Sequence, residues 1–287
     1  MGQKTAHVII LAGQSNAVGV GHTEYLPRHF SPERIESWKK GFKNVSINYF
    51  SHDKKSSGFV RTLTGCTEIR KKTVGPEAGL GEALSARYPD REIFIVKCAF
   101  GATSLHTDWI SPSGGADYDP GAYADQKENI IDNYGIGAPI RPGWCYNELV
   151  RLCSESLDDL RTKGCTPEID AFCWMQGEGD ADTREHVSEY IRRFDALLSD
   201  FRRRFREEIS GNCIFADAGI SDIWMLYKEL NAAKKEYAEA HGDLRYIDTI
   251  GEGLTTANEP EPEPDIYHYD SDSVIKLGRL FSSVITL

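Results

Sequence analysis

Five short runs, residues 8–11, 93–98, 171–175, 213–216 and 244–247, are largely apolar on both alternating faces. A strand carries side chains alternately to its two faces, and such a run is satisfied when helices cover it on both sides. Helical periodicity lies between the runs. Val187, Ile191, Phe194, Leu197, Leu198, Phe201 and Phe205 recur at spacings of three and four behind Thr183, a good N-cap residue. Leu149, Val150, Cys153, Leu157 and Leu160 do the same within 147–161, and further helices are expected near Pro76, Tyr227 and Asp270. Strands alternating with helices predict an α/β fold around a parallel sheet of about five strands, with ligands at the carboxyl ends of the strands. Two stretches, near 30–73 and 106–144, break the alternation and read as loop insertions within one domain spanning 1–287.

Composition removes several classes of function. The net charge of −11 opposes binding to a phosphate backbone, and the basic cluster Arg202 to Arg204 is interleaved with Asp200, Glu207 and Glu208 as on a solvated helix face. No partner of nucleic-acid type and no membrane is therefore expected. No apolar run approaches the ~20 residues of a spanning helix. The run at 8–12 is too short for a signal-peptide core and lacks a cleavage pattern, so the chain as it stands is expected in the cytoplasm, or secreted or periplasmic if a leader has been removed. Seven cysteines without a Cys-x-x-Cys pair predict free thiols and no disulfide framework.

Four constellations fall at or beyond strand ends. Gly13-Gln14-Ser15-Asn16 follows the first run; a serine on a sharp strand-to-helix turn has an exposed hydroxyl and a free backbone N–H, although Gly-x-Ser alone also describes a helix cap. It lacks the second glycine of Gly-x-Ser-x-Gly, which argues against an α/β-hydrolase elbow. Gly101, after the second run, can bring its N–H close to a substrate oxygen, or can simply be a turn glycine. Trp174-Met175-Gln176-Gly177-Glu178-Gly179-Asp180 closes the third run, with Gln176 offering side-chain N–H groups to an oxyanion and Asp180 able to cap a helix. Asp265 precedes His268 by three residues, a spacing at which the carboxylate can hold the ring with Nε2 free as a base.

In order and placement these four, with Gly75-Pro76-Glu77, resemble the SGNH hydrolases, and among them the carbohydrate acetylesterases that include sialate O-acetylesterase domains and carbohydrate esterase family 6. The resemblance spans nearly the whole chain. It implies a three-layer flavodoxin-like fold, Ser15 as nucleophile, His268 as general base and Asp265 as its orienting carboxylate. It further implies an oxyanion hole from the N–H groups of Ser15 and Gly101 and the side chain of Gln176, with Gln14, Asn16, Glu77 and Glu178 as supporting residues. The chain departs from the family where Gly179 replaces a common Ser, and where Ile266, Tyr267 and Tyr269 replace smaller residues around Asp-x-x-His.

The activity so implied is removal of O-acetyl groups from carbohydrates, acetylated xylan-type glycans or sialic acids, through an acyl-enzyme. No cofactor and no metal are expected, since the histidines lack zinc-type spacing and no glycine-rich phosphate loop follows a strand. A lipase or thioesterase on the same scaffold, and a glycan-binding module without catalysis, are the rival readings. Trp109, Tyr118, Tyr123, Tyr134, Trp144 and Tyr146 lie among glycines, prolines and acids without helical spacing. They suggest a sugar-contacting loop in which Trp109 and Trp144 are the candidates, or else rings that anchor that loop to the body.

Overall fold

The computed structural model describes residues 4–67, 72–115 and 142–287. Its elements in chain order are β1 (Lys4–Gly13), α1 (Ser15–Val18), β2 (Gly21–His22), α2 (Pro32–Lys40), β3 (Val45–Ser51), β4 (Lys54–Lys55), β5 (Thr73–Val74), α3 (Pro76–Arg87), β6 (Ile93–Ala99), α4 (Trp144–Thr162), β7 (Cys165–Met175), α5 (Arg184–Arg204), β8 (Ile209–Ala218), α6 (Tyr227–Glu239), β9 (Leu244–Ile247) and α7 (Ser271–Val284). Among the described residues the main sheet has seven strands in the order β4-β3-β6-β1-β7-β8-β9, and β2 pairs with β5 in a small second sheet. In the main sheet only β4 is antiparallel to its neighbour.

The five expected strands are β1, β6, β7, β8 and β9, and a sixth parallel strand, β3, lies inside the stretch read as a loop insertion. Its sequence VSINYFS alternates apolar with polar residues, but the polar Asn48 is buried too, donating to Ser156 Oγ of α4 at 2.8 Å. The helices follow the expected periodicities. Thr183 caps α5 by accepting from the His186 N–H.

The register puts Asn48, Phe50, Val96, Cys98, Ile10, Phe172, Trp174 and Asp217 on one face of the sheet. There Asn48 meets Ser156 of α4, Trp174 stacks on Phe194 of α5, and Asp217 pairs with Lys234 of α6. Residues of opposite parity meet the other helical layer, as where Lys97 of β6 reaches Glu77 of α3, which packs on α7. The result is a three-layer α/β/α sandwich. All seven cysteines are free thiols, and six of them are buried. Among the described residues no helix is long and apolar enough to cross a membrane.

β1 lies between β6 and β7, and the chain builds one half of the sheet before crossing back to build the other. Such a switch point opens a crevice at the carboxyl end of the central strand. The loops that follow β1, β6 and β7 are those carrying Ser15, Gly101 and Gln176.

Candidate active site

Gly13 makes the turn out of β1 possible. Its φ is +142°, and a Cβ there would lie 1.9 Å from the Met175 carbonyl oxygen, so no side chain fits. The Gln14 N–H donates to that same carbonyl at 2.9 Å, which ties the turn to β7. Ser15 then starts the single helical turn α1 and is half-buried, whereas Gln14 and Asn16 on either side are buried. The first N–H groups of a helix have no acceptor within it, so the Ser15 amide is available to a ligand.

Gly101 stands against this turn: a Cβ built on it would be 3.6 Å from Ser15 Cβ and 3.4 Å from His52 Nδ1. Its N–H makes a long 3.4 Å bond to His52 Nδ1. His52 carries no recognisable motif in the sequence. It reaches the site because β3 runs beside β6, where the His52 N–H donates to the Ala99 carbonyl at 2.8 Å.

His268 and Asp265 sit on the loop before α7, with His268 Nδ1 2.7 Å from Asp265 Oδ2. The other carboxylate oxygen of Asp265 accepts from the Tyr267 N–H at 3.0 Å, so the turn itself orients the acid. Asp270 is committed elsewhere, accepting from Thr255 Oγ1 at 2.7 Å and from the Asn258 N–H at 3.0 Å. This loop is held to the nucleophile turn by Asn16, whose Oδ1 accepts from the Tyr269 N–H at 3.0 Å and whose Nδ2 donates to Glu178 Oε1 at 2.8 Å. Glu178 is fully buried and its Oε2 has no partner among the described residues; burial raises its carboxyl above the ordinary range, while the Asn16 bond, Lys234 and His268 pull the other way.

Gln176 was expected to present its amide to an oxyanion, and its bonds correct that expectation. The side chain is fully buried, and Nε2 faces Asp180 Oδ2 at 2.7 Å, the Thr103 carbonyl at 3.1 Å and Gln14 Oε1 at 3.2 Å. Two hydrogens already meet three acceptors. Its Oε1 accepts from Tyr190 Oη at 3.0 Å, and turning the amide round would set Oε1 against the oxygens of Asp180, Thr103 and Gln14. Gln14 is the complementary case. Its Oε1 accepts from the Gly179 N–H at 3.1 Å and from Gln176, and its Nε2 has no acceptor among the described residues.

Two buried ion pairs brace the turns from beneath. Lys97 Nζ donates to the Val18 carbonyl at the end of α1 and to Glu77 Oε2, at 2.7 and 2.6 Å. Lys234 Nζ donates to the Gln176 carbonyl at 2.7 Å and lies 2.9 Å from Asp217 Oδ1, whose carboxyl burial pushes up to about 6 against the pull of Lys234. Glu77 stands out in the sequence but neither lysine does, because each lies in an ordinary helix or strand pattern. Gly179 is explained by Thr103, since a Cβ would fall 2.5 Å from that residue's carbonyl oxygen and leave no room for serine.

Neither of the two tryptophans proposed to touch sugar is strongly exposed. Trp109 is fully buried, edge-on to Trp174 and against Phe100, with its Nε1 donating to Thr103 Oγ1 at 2.9 Å. Trp144 is half-buried and packs on Phe50 and Phe100. Both anchor the loop after β6. Tyr118, Tyr123 and Tyr134 lie outside the described residues.

Among the described residues, His7, Glu168 and Asp170 and, separately, His22, Glu259 and Glu261 bring three potential ligand atoms together. The first group is at the start of β1, at the opposite edge of the sheet from Ser15, and its His7 Nδ1 is bonded to Asp170 Oδ2 at 2.8 Å. In the second, His22 Nε2 pairs with Glu261 Oε1 at 2.8 Å. Neither includes Ser15 or His268.

Residues 5–286 match the model of a family described as carbohydrate esterase, sialic acid-specific acetylesterase. No curated protein matches the chain in sequence. Among solved structures, the chain resembles a protein from Arabidopsis thaliana at 16% identity and TM-score 0.62, over 98% of this chain and 97% of that one. It resembles NanS at 16% identity and TM-score 0.61, over 99% and 98% of the two chains. A carbohydrate acetylesterase from Xanthomonas citri aligns at 13% identity and TM-score 0.56, over 98% of this chain and 55% of that one. These likenesses show a shared fold.

Proposed function

The chain belongs to the carbohydrate esterase family of sialic acid-specific acetylesterases, and on that premise we propose that Ser15, His268 and Asp265 remove O-acetyl groups from sugars through an acetyl-enzyme. The observation that carries the proposal is the 2.7 Å Asp265–His268 pair, on a loop bonded through Tyr269 to the residue after Ser15. With Nδ1–H given to Asp265, the Nε2 of His268 is the base. It takes the Ser15 proton as Oγ attacks the ester carbonyl, and then gives that proton to the sugar oxygen as the ester C–O bond breaks. Water attacks the acetyl-serine by the same route, releasing acetate and restoring the serine.

The tetrahedral oxyanion is received by the N–H groups of Ser15 and Gly101, and Gln14 Nε2 is the neighbouring side-chain amide without an acceptor among the described residues. Gln176 serves by fixing Gln14, Thr103 and Asp180 in place. Glu178 holds Asn16, and Glu77 holds Lys97. The expected partner is an acetylated carbohydrate of the xylan or sialic acid type.

Acetate release from acetylated xylo-oligosaccharides and from O-acetyl sialic acids, by the native enzyme and by Ser15→Ala, tests this reading. The native enzyme should release acetate from at least one of them and the variant from none. Release only from long-chain acyl esters would favour a lipase-like enzyme instead.

A further inference from the structure

Four large apolar side chains are strongly exposed among the described residues: Met225, Ile250, Ile266 and Tyr267. Single exposed hydrophobics are ordinary, but clustered ones mark binding surfaces. Three of these four lie on two loops, 219–226 and 265–268, that meet where the ring of Trp224 contacts that of Tyr267 with centroids 5.6 Å apart. The first loop leaves the carboxyl end of β8 and is tied to the Gln176 loop by the Leu226 N–H donating to the Ala181 carbonyl at 3.0 Å. The second carries Asp265 and His268. The Nε1 of Trp224 is shielded from solvent and has no acceptor among the described residues, so the ring is held there without a polar anchor.

We infer that Trp224 and Tyr267 form the subsite for the pyranose ring of the departing sugar, an inference that rests on the acetylesterase reading above. The direction of the reaction places the sugar there. The acyl group stays on Ser15, beside Gly101. The proton held by His268 must reach the sugar oxygen as the C–O bond breaks, so the sugar leaves from the His268 side of the site. Tyr267 is the residue next to His268 in the chain and is 52% exposed. An aromatic ring with an exposed face, as Tyr267 has, packs against the C–H face of a pyranose while the sugar hydroxyls remain in water, and the half-buried Trp224 backs it.

Binding to Ser15→Ala, which cannot turn over, reads the subsite without the chemistry. The probes are a mono-acetylated xylotriose and an O-acetyl sialic acid, each followed by calorimetry. Adding Tyr267→Ala or Trp224→Ala should weaken binding of at least one probe by about tenfold, the scale of one lost contact in a binding pocket. In the Ser15 enzyme the same substitutions should lower kcat/KM more on that sugar ester than on 2,2,2-trifluoroethyl acetate, whose alcohol is too small to span both rings. Unchanged affinity, no binding of either probe, or equal losses on sugar and small ester overturns the subsite. Failure of the native enzyme to hydrolyse any ester overturns the esterase reading alone, since the calorimetric result does not depend on turnover.

Discussion

The Asn16 side chain accepts the Tyr269 N–H at 3.0 Å, and this buried bond joins the residue after the proposed nucleophile to the residue after the proposed base across 253 positions of sequence. The same amide donates to Glu178 at 2.8 Å, so one side chain fastens the loops after β1 and β7 to the loop before α7. The spacing of Ser15 and His268 is thus set by a neighbour rather than by a direct bond.

Asn16→Ala should therefore leave the Tyr269 N–H and Glu178 Oε1 buried without their partner, at about 1–3 kcal/mol each. Thermal melting should fall by several degrees, and turnover should fall further than the loss of folded protein accounts for. Full turnover in a folded Asn16→Ala would remove Asn16 from the account.

Gln14 and Gln176 separate by kind of damage. Gln176→Ala strips partners from Asp180, Thr103 and Tyr190 and should lower the melting temperature together with activity. Gln14→Glu keeps an oxygen for Gly179 and Gln176 while replacing the free amide N–H groups with an acceptor, and should lower turnover on the order of 100-fold to 1000-fold, the cost of one oxyanion donor. Turnover lost in Gln176→Ala at an unchanged melting temperature would return the donor role to Gln176.

Asp265→Asn should lower turnover by about 100-fold or more by disfavouring the productive tautomer of His268. Asp270→Asn should chiefly lower the melting temperature, because Asp270 holds Thr255 and Asn258. Steady-state kinetics beside thermal melts decides between them, and a reversed pattern would exchange the two aspartates.

Much of the site was legible because its parts lie at strand ends that hydrophobic runs mark out. Ser15, Gly101 and Gln176 follow β1, β6 and β7, and the Asp265 spacing to His268 reads directly. What was hidden depends on tertiary neighbours. The strand β3 was missed because its buried Asn48 looks solvent-facing until Ser156 is placed against it. His52 was missed because only the pairing of β3 with β6 brings it to Gly101. Trp109 and Trp144 lack helical spacing, yet such rings are as easily buried as exposed, and here Trp109 lies in the core while Trp144, the first residue of α4, packs on Phe100 beside it. The exposed ring belongs instead to Tyr267, in contact with the half-buried Trp224, on segments without any aromatic pattern.

Glu178 gives a pH signature. Its carboxyl is raised by burial in the folded protein, so the folded state takes up its proton at higher pH than the unfolded chain does. That contribution to stability is present below the unfolded value and is lost as pH rises through the folded one. Glu178→Gln keeps an oxygen for Asn16 and removes the buried charge, so the variant should gain most on the native protein at neutral pH. Its advantage in melting temperature should shrink as pH falls toward about 4, near the unfolded carboxyl value. A gap that widens on acidification would contradict the assignment.

The central claim is that Ser15 carries the acyl group and His268 activates it. Its most direct test is peptide mapping by mass spectrometry after reaction with a fluorophosphonate, which captures an activated serine as a stable adduct. The adduct should fall on Ser15 in the native protein and be absent from His268→Ala. An adduct on a different serine, or labelling of Ser15 that persists at the same rate without His268, would contradict the account.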